Sequence, residues 1–136
     1  MVTLFHSLVI DQLTSLLTRA DPVALDLSVV SSLQPSRSTA SAHPGDSANR
    51  REDLKRSQYS ESCSAVGWRF MPFVLETTGA CSHGAHKVMA FLVNYTSARC
   101  GESKQLVAAR LWQSLSLALA KAVADQLIGA FGSYLF

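Results

Sequence analysis

The sequence predicts a single small α/β domain, and three observations carry that prediction. The first is "VALDLSVVSSL" at residues 23–33, a short β-branched apolar run. The second is "WRFMPFVLET" at 68–77, a dense run of apolar and aromatic residues. The third is a stripe towards the C-terminal end, Val107, Leu111, Leu115, Leu119, Val123 and Leu127, which recurs every fourth residue as the buried face of a helix does. A chain of 136 residues can bury one sizeable core but not two comfortable ones. With 48% hydrophobic and 16% charged residues, it suits a globular rather than a disordered protein. A net charge of +2 does not argue for nucleic acid by itself, so any basic surface has to be local. Cys63, Cys81 and Cys100 are odd in number, widely spaced and without a C-x-x-C pair. That argues against a zinc site or a disulfide framework and makes a reducing compartment the default.

At the N-terminus, Leu4, Leu8, Leu13, Leu16 and Leu17 fall at roughly helical spacing, so residues 4–18 are expected to form a short amphipathic helix. Asp21-Pro22 breaks it. Residues 1–21 then read as a helical leader and 22–136 as the main domain. The leader lacks a basic n-region, Asp11 interrupts its apolar stretch, and no small-residue cleavage site follows. The expectation is therefore an intracellular protein, nuclear or cytoplasmic, and not a secreted one. The sequon at Asn94 then has no role. No run of about 18 uninterrupted apolar residues occurs, so no membrane partner is expected.

The strand beginning at Val23 is expected to be covered on both faces. Asp26 is the oddity inside it, because a carboxylate is expensive to bury unless something pairs with it. Residues 34–50, "QPSRSTASAHPGDSANR", read as a flexible loop with one Pro-Gly turn. Residues 51–66 follow as a helix that Gly67 ends. In the second strand Pro72 points to a sheet edge or a bulge. "TGACSHG" is a turn, and "AHKVMAFLVNYTSA" at 85–98 resumes a helical pattern through Val88, Phe91, Leu92 and Tyr95. A loop holding Gly101 leads to the last helix, 103–131. Lys104, Arg110, Gln113, Lys121 and Asp125 supply its polar positions, and Gly129 and Gly132 mark its expected end. A helix this apolar must dock on the sheet or on a partner.

Chemistry is most readily placed at Asp26 and the helix after it. Lys55 and Tyr59 lie four apart, and Cys63 and Val66 continue their stripe, so Lys55 belongs on the face that meets the sheet. Glu52 shares that side. A strand acid, a helix acid and a lysine are the minimum set for metal-assisted phosphodiester hydrolysis. Asp26 and Glu52 would hold Mg²⁺ through oxygen. The metal would polarise the phosphate and generate hydroxide, while Lys55 stabilises the charge that develops. The same spacing also describes an ordinary structural ion pair. His43, His83 and His86 are scattered and lack a third ligand for zinc. No glycine-rich phosphate loop, nucleophile elbow or Cys/His catalytic pattern is present. Glu76 is a further acid, or a cap for the turn after it.

Taken in order, "ALDLSVVSSL", "EDLKRSQY" and "GWRFMPFVLETTG", then a helix and "RLWQSLSLALAKAVADQL", resemble the C-terminal region of non-LTR retrotransposon polyproteins. There a reverse transcriptase is followed by a restriction-endonuclease-like domain of the PD-(D/E)xK type. The resemblance covers roughly residues 22–130. It implies a small restriction-endonuclease-like sheet flanked by helices, with a long C-terminal helix. Asp26 falls on the metal-binding aspartate of that family and Lys55 on its catalytic lysine. Tyr59 falls on the neighbouring tyrosine and Glu52 on the acid before them. The implied activity is Mg²⁺-dependent nicking of DNA to prime reverse transcription. The family also has an upstream acid in an R-P-x-D stretch. Here the corresponding text is "SLVIDQLTSLLTRADP", where only Asp11 and Asp21 are available and neither sits in that motif. No reverse transcriptase or zinc knuckle accompanies these segments, as in a detached fragment. The rival expectations are a non-catalytic module that binds nucleic acid or protein, a retroelement remnant without function, and a helical self-association domain built on 103–131.

Overall fold

The computed structural model describes residues 22–31 and 43–135. The expected helix at 4–18, with Asp11 and Asp21, lies outside the described residues, as does most of the expected loop. In order, the chain forms β1 (Val23–Val30), α1 (Asp46–Ala65), β2 (Arg69–Glu76), α2 (His83–Cys100) and α3 (Lys104–Leu135). The fold is α/β. Strands β1 and β2 pair in parallel, from Val23 opposite Arg69 to Val30 opposite Glu76. Parallel pairing follows from the intervening helix, since returning the chain to the same end of the sheet needs a long crossover.

Side chains alternate across a strand, and this sorts the sheet into two faces. Asp26 on β1, with Phe70 and Glu76 on β2, points towards α1. Phe73 and Leu75 point the other way. They join Val88, Met89 and Leu92 of α2 and Val107, Leu111, Leu115 and Leu119 of α3 in one buried cluster. The order of layers is α1, then the sheet, then α2 with α3.

Contrary to expectation, β1 is not covered on both faces. Leu27 and Val29 are 52% and 46% exposed, because α2 lies on β2 and α3 on α2, and β1 meets the core through Leu25. Asp26 lies on the opposite face, towards α1, and its own 33% side-chain exposure is what lowers the cost of an aspartate in the strand. Pro72, by contrast, sits as its sequence context demands. Arg69 and Thr77 donate backbone N–H groups to Pro22 and Val30, so odd positions of β2 bond β1 and even positions face away. Pro72 therefore removes no rung. The edge it lies on is covered by the returning chain: Ser82 N–H bonds Val74 O at 2.9 Å, and Glu76 N–H bonds Ala80 O at 2.7 Å.

The element ends differ from expectation in informative ways. Helix α1 starts at Asp46, five residues before the expected 51, because a glutamate from β2 caps it. At its other end Gly67 adopts φ +75°, Trp68 N–H reaches Cys63 O, and Gly67 N–H reaches Ser64 O, the Schellman arrangement. Helix α3 runs through Gly129 and Gly132 to Leu135. A helix-interior glycine costs only about 1 kcal/mol, less than the helical residues on either side contribute together. The stretch Lys104–Phe131 is also long and apolar enough, by length and composition alone, to cross a membrane. Its apolar run is interrupted by charged residues such as Lys121 and Asp125, so the absence of an uninterrupted run does not exclude it.

Candidate functional site

Asp26 lies mid-strand, opposite Pro72, and its side chain meets α1. Lys55, on α1, is 8% exposed, and its Nζ donates to Asp26 Oδ2. A buried ammonium needs a counter-charge, and Asp26 supplies it while its own side chain keeps 33% of its surface exposed. One turn on, Tyr59 lays its ring against Phe70 of β2, with centroids 5.7 Å apart and planes at 53°. The Lys55–Tyr59 part of the stripe read from the sequence is thus on the sheet-facing side of α1, and it brings Asp26, Lys55 and Tyr59 to one layer. Val66, expected to continue it, instead lies past the helix end and is 68% exposed.

Glu52 is held elsewhere. It is 6% exposed, and its Oε1 accepts from Arg56 Nε at 3.0 Å and Nη2 at 2.9 Å. Its Oε2 accepts the Gly84 N–H at 2.8 Å. Burial alone would raise its pKa, but the Ser82 hydroxyl, the Gly84 amide and the Arg56 guanidinium outweigh it and hold the carboxyl below its ordinary value. Those donors define what Glu52 does: it caps α2. At that helix start the His83 N–H goes to Asn49 Oδ1 at 2.9 Å and the Ala85 N–H to Ser82 Oγ at 3.2 Å. A capping box normally puts the acid three residues after the serine. Here that position is Ala85, and the acid comes from α1 instead. The approach is close enough to require glycine at 84, because a Cβ there would stand 2.7 Å from Glu52 Oε2 and 2.8 Å from Pro72 O.

Glu76 repeats the device one helix earlier. It is 1% exposed, and its Oε1 accepts from Gly45, Ser47 and Ala48 N–H at 3.1, 3.0 and 3.3 Å. Its Oε2 accepts the Thr78 hydroxyl at 3.2 Å. A negative charge at these unpaired amides also meets the positive end of the helix dipole. The sequence suggested a cap for the following turn; the larger role, capping α1, depends on chain folding that spacing does not show.

Among the histidines, His86 packs its ring 5.5 Å from Trp112, and His83 is exposed. Among the described residues, no group of three or more His, Cys, Asp or Glu side chains is arranged to hold a metal ion. No protein-family model, curated protein or solved structure matches the chain.

Proposed function

We propose that the chain is a retrotransposon-derived, restriction-endonuclease-like domain that nicks DNA with Mg²⁺, with Asp26 as the metal ligand and Lys55 as the residue that stabilises charge on the phosphate. The observation that carries the reading is the pairing of Asp26 with Lys55 between β1 and α1, the two residues that the ordered resemblance assigns to that chemistry. Mg²⁺ keeps several waters and is commonly held by one or two carboxylates together with substrate phosphates. One partly exposed aspartate fits that requirement. Held by Asp26, the metal would supply Lewis-acid polarisation of the phosphate and activation of the attacking water. Glu52 fits a ligand role less well, since Arg56 and Gly84 already occupy its oxygens. In this reading Lys55 holds the Asp26 carboxylate in place until DNA arrives, then turns its ammonium to the phosphate. Tyr59 holds the helix against β2 beside it.

A second reading is favoured by one observation: Glu52 and Glu76 both serve as helix caps. Of these three carboxylates, only Asp26, paired with Lys55, is then not committed to a helix start, which suits a non-catalytic nucleic-acid or protein-binding module. Nicking of supercoiled plasmid separates the two. The nuclease reading expects Mg²⁺-dependent nicking that chelation abolishes and that both Asp26→Asn and Lys55→Met abolish while remaining folded. Equal nicking by the variants, or none by the parent chain, overturns it.

A further inference from the structure

Helix α3 is apolar on two opposite sides, and only one is used. Val107, Leu111, Leu115 and Leu119 are buried in the core cluster they share with α2 and with Phe73 and Leu75 of the sheet. On the far side lie Leu117, Ala120, Ala124, Leu127, Ile128 and Phe131. All six are exposed, with Leu117 and Leu127 at 54%, Phe131 at 66% and Ile128 at 70%. Positions 117, 120, 124, 127 and 131 alternate steps of three and four residues, the heptad spacing of a helix–helix seam. A helix apolar all round is a buried helix. We propose that this second stripe pairs with the same stripe of a second copy of the chain, the two helices running antiparallel.

The charges select the occupant and the direction. Lys121 and Asp125 form an ion pair along the flank of the stripe and stand two residues either side of Val123. A two-fold axis perpendicular to the helices near Val123 sets Lys121 of one copy opposite Asp125 of the second, and the reverse. A parallel pair puts these flanks on opposite sides of the seam, where they do not meet. The axis also brings Ala124 within two positions of its own copy along the seam, and small residues there let the helices approach closely. A lipid bilayer is the less suitable partner. It would strip water from Lys121 and Asp125, and the first half of α3 is already committed to the core.

The test is the oligomeric state of the full chain by sedimentation equilibrium, with exposed-site variants that leave the core intact. The expected result is a dimer that Leu127→Glu converts to monomer without loss of helicity. Lys121→Glu alone, and Asp125→Lys alone, should each weaken the dimer roughly fivefold. Equimolar mixing of these two single variants should restore it, because every cross-copy pair is then again of opposite sign. A monomer at all accessible concentrations overturns the proposal, as does a dimer indifferent to Leu127→Glu. A mixture no tighter than either variant overturns the antiparallel arrangement. Co-sedimentation of the chain with phosphatidylcholine vesicles, lost in Leu127→Glu, would assign the stripe to a membrane instead.

Discussion

Lys55 and Asp26 are unequal partners, because the ammonium is buried while the carboxylate keeps a third of its side-chain surface in contact with solvent. Removing either one therefore has a different consequence. Asp26→Ala leaves a buried charge without its counter-ion, and its cost should be about 2–3 kcal/mol, below the fully buried range because the lysine stem can bend its head towards the opening. Lys55→Met removes the buried charge and keeps the volume, and leaves an aspartate that water can reach. Its cost should be below about 1 kcal/mol. Chemical denaturation of the two variants measures this, and a Lys55→Met variant as unstable as Asp26→Ala would mean that Lys55 contributes more than the pair. The asymmetry also makes Lys55→Met the cleaner variant for the nicking assay, since it separates lost chemistry from lost fold.

At the scale of elements, the helices depend on side chains from elsewhere in the chain for their starts. Glu76 of β2 binds three amides at the start of α1, and the local sequence there offers Gly45 as N-cap without a side chain to do so. Glu76→Ala should fray the first turn of α1 and cost about 2–3 kcal/mol, as expected for several charge-assisted bonds to buried amides. Hydrogen exchange locates the effect: Ser47 and Ala48 should lose protection while Val88 and Leu92 retain theirs relative to the reduced global stability. Uniform loss across all helices would count against a local cap. This dependence explains what the sequence did and did not disclose. Both strands, the Lys55–Tyr59 face, the Gly67 stop and the Val107–Leu119 stripe rest on periodicity or local turn chemistry, and these were readable. The true start of α1, the destination of Glu52 and the exposure of Leu27 and Val29 depend on which elements pack together. Spacing carries no record of that. The glycine stop expected at 129 failed for a related reason: a glycine ends a helix only where the chain needs a left-handed residue, and here it does not.

For the molecule as a whole, the two cap carboxylates tie α1, β2 and α2 into one unit, and acid should loosen that unit through Glu52. Its carboxyl is held below the ordinary value of 4.5, burial being outweighed by Ser82, Gly84 and Arg56. A depressed carboxylate contributes stability that is fully present above the unfolded pKa and lost as pH falls through the folded one. The contribution should therefore be intact at neutral pH and disappear below 4.5. Glu52→Gln keeps the shape and one acceptor but removes the charge, so it should be less stable than the parent at pH 7. As pH drops below 4.5 the parent protonates Glu52 and approaches the variant. The difference in urea midpoint between the two, measured from pH 7 to pH 3, should shrink steadily in acid. A constant difference would mean that Glu52 acts by shape alone and that its charge contributes nothing to the start of α2. A difference that widens in acid would reverse the sign of the linkage and place the ionised carboxylate among unfavourable neighbours, against the donors that surround it.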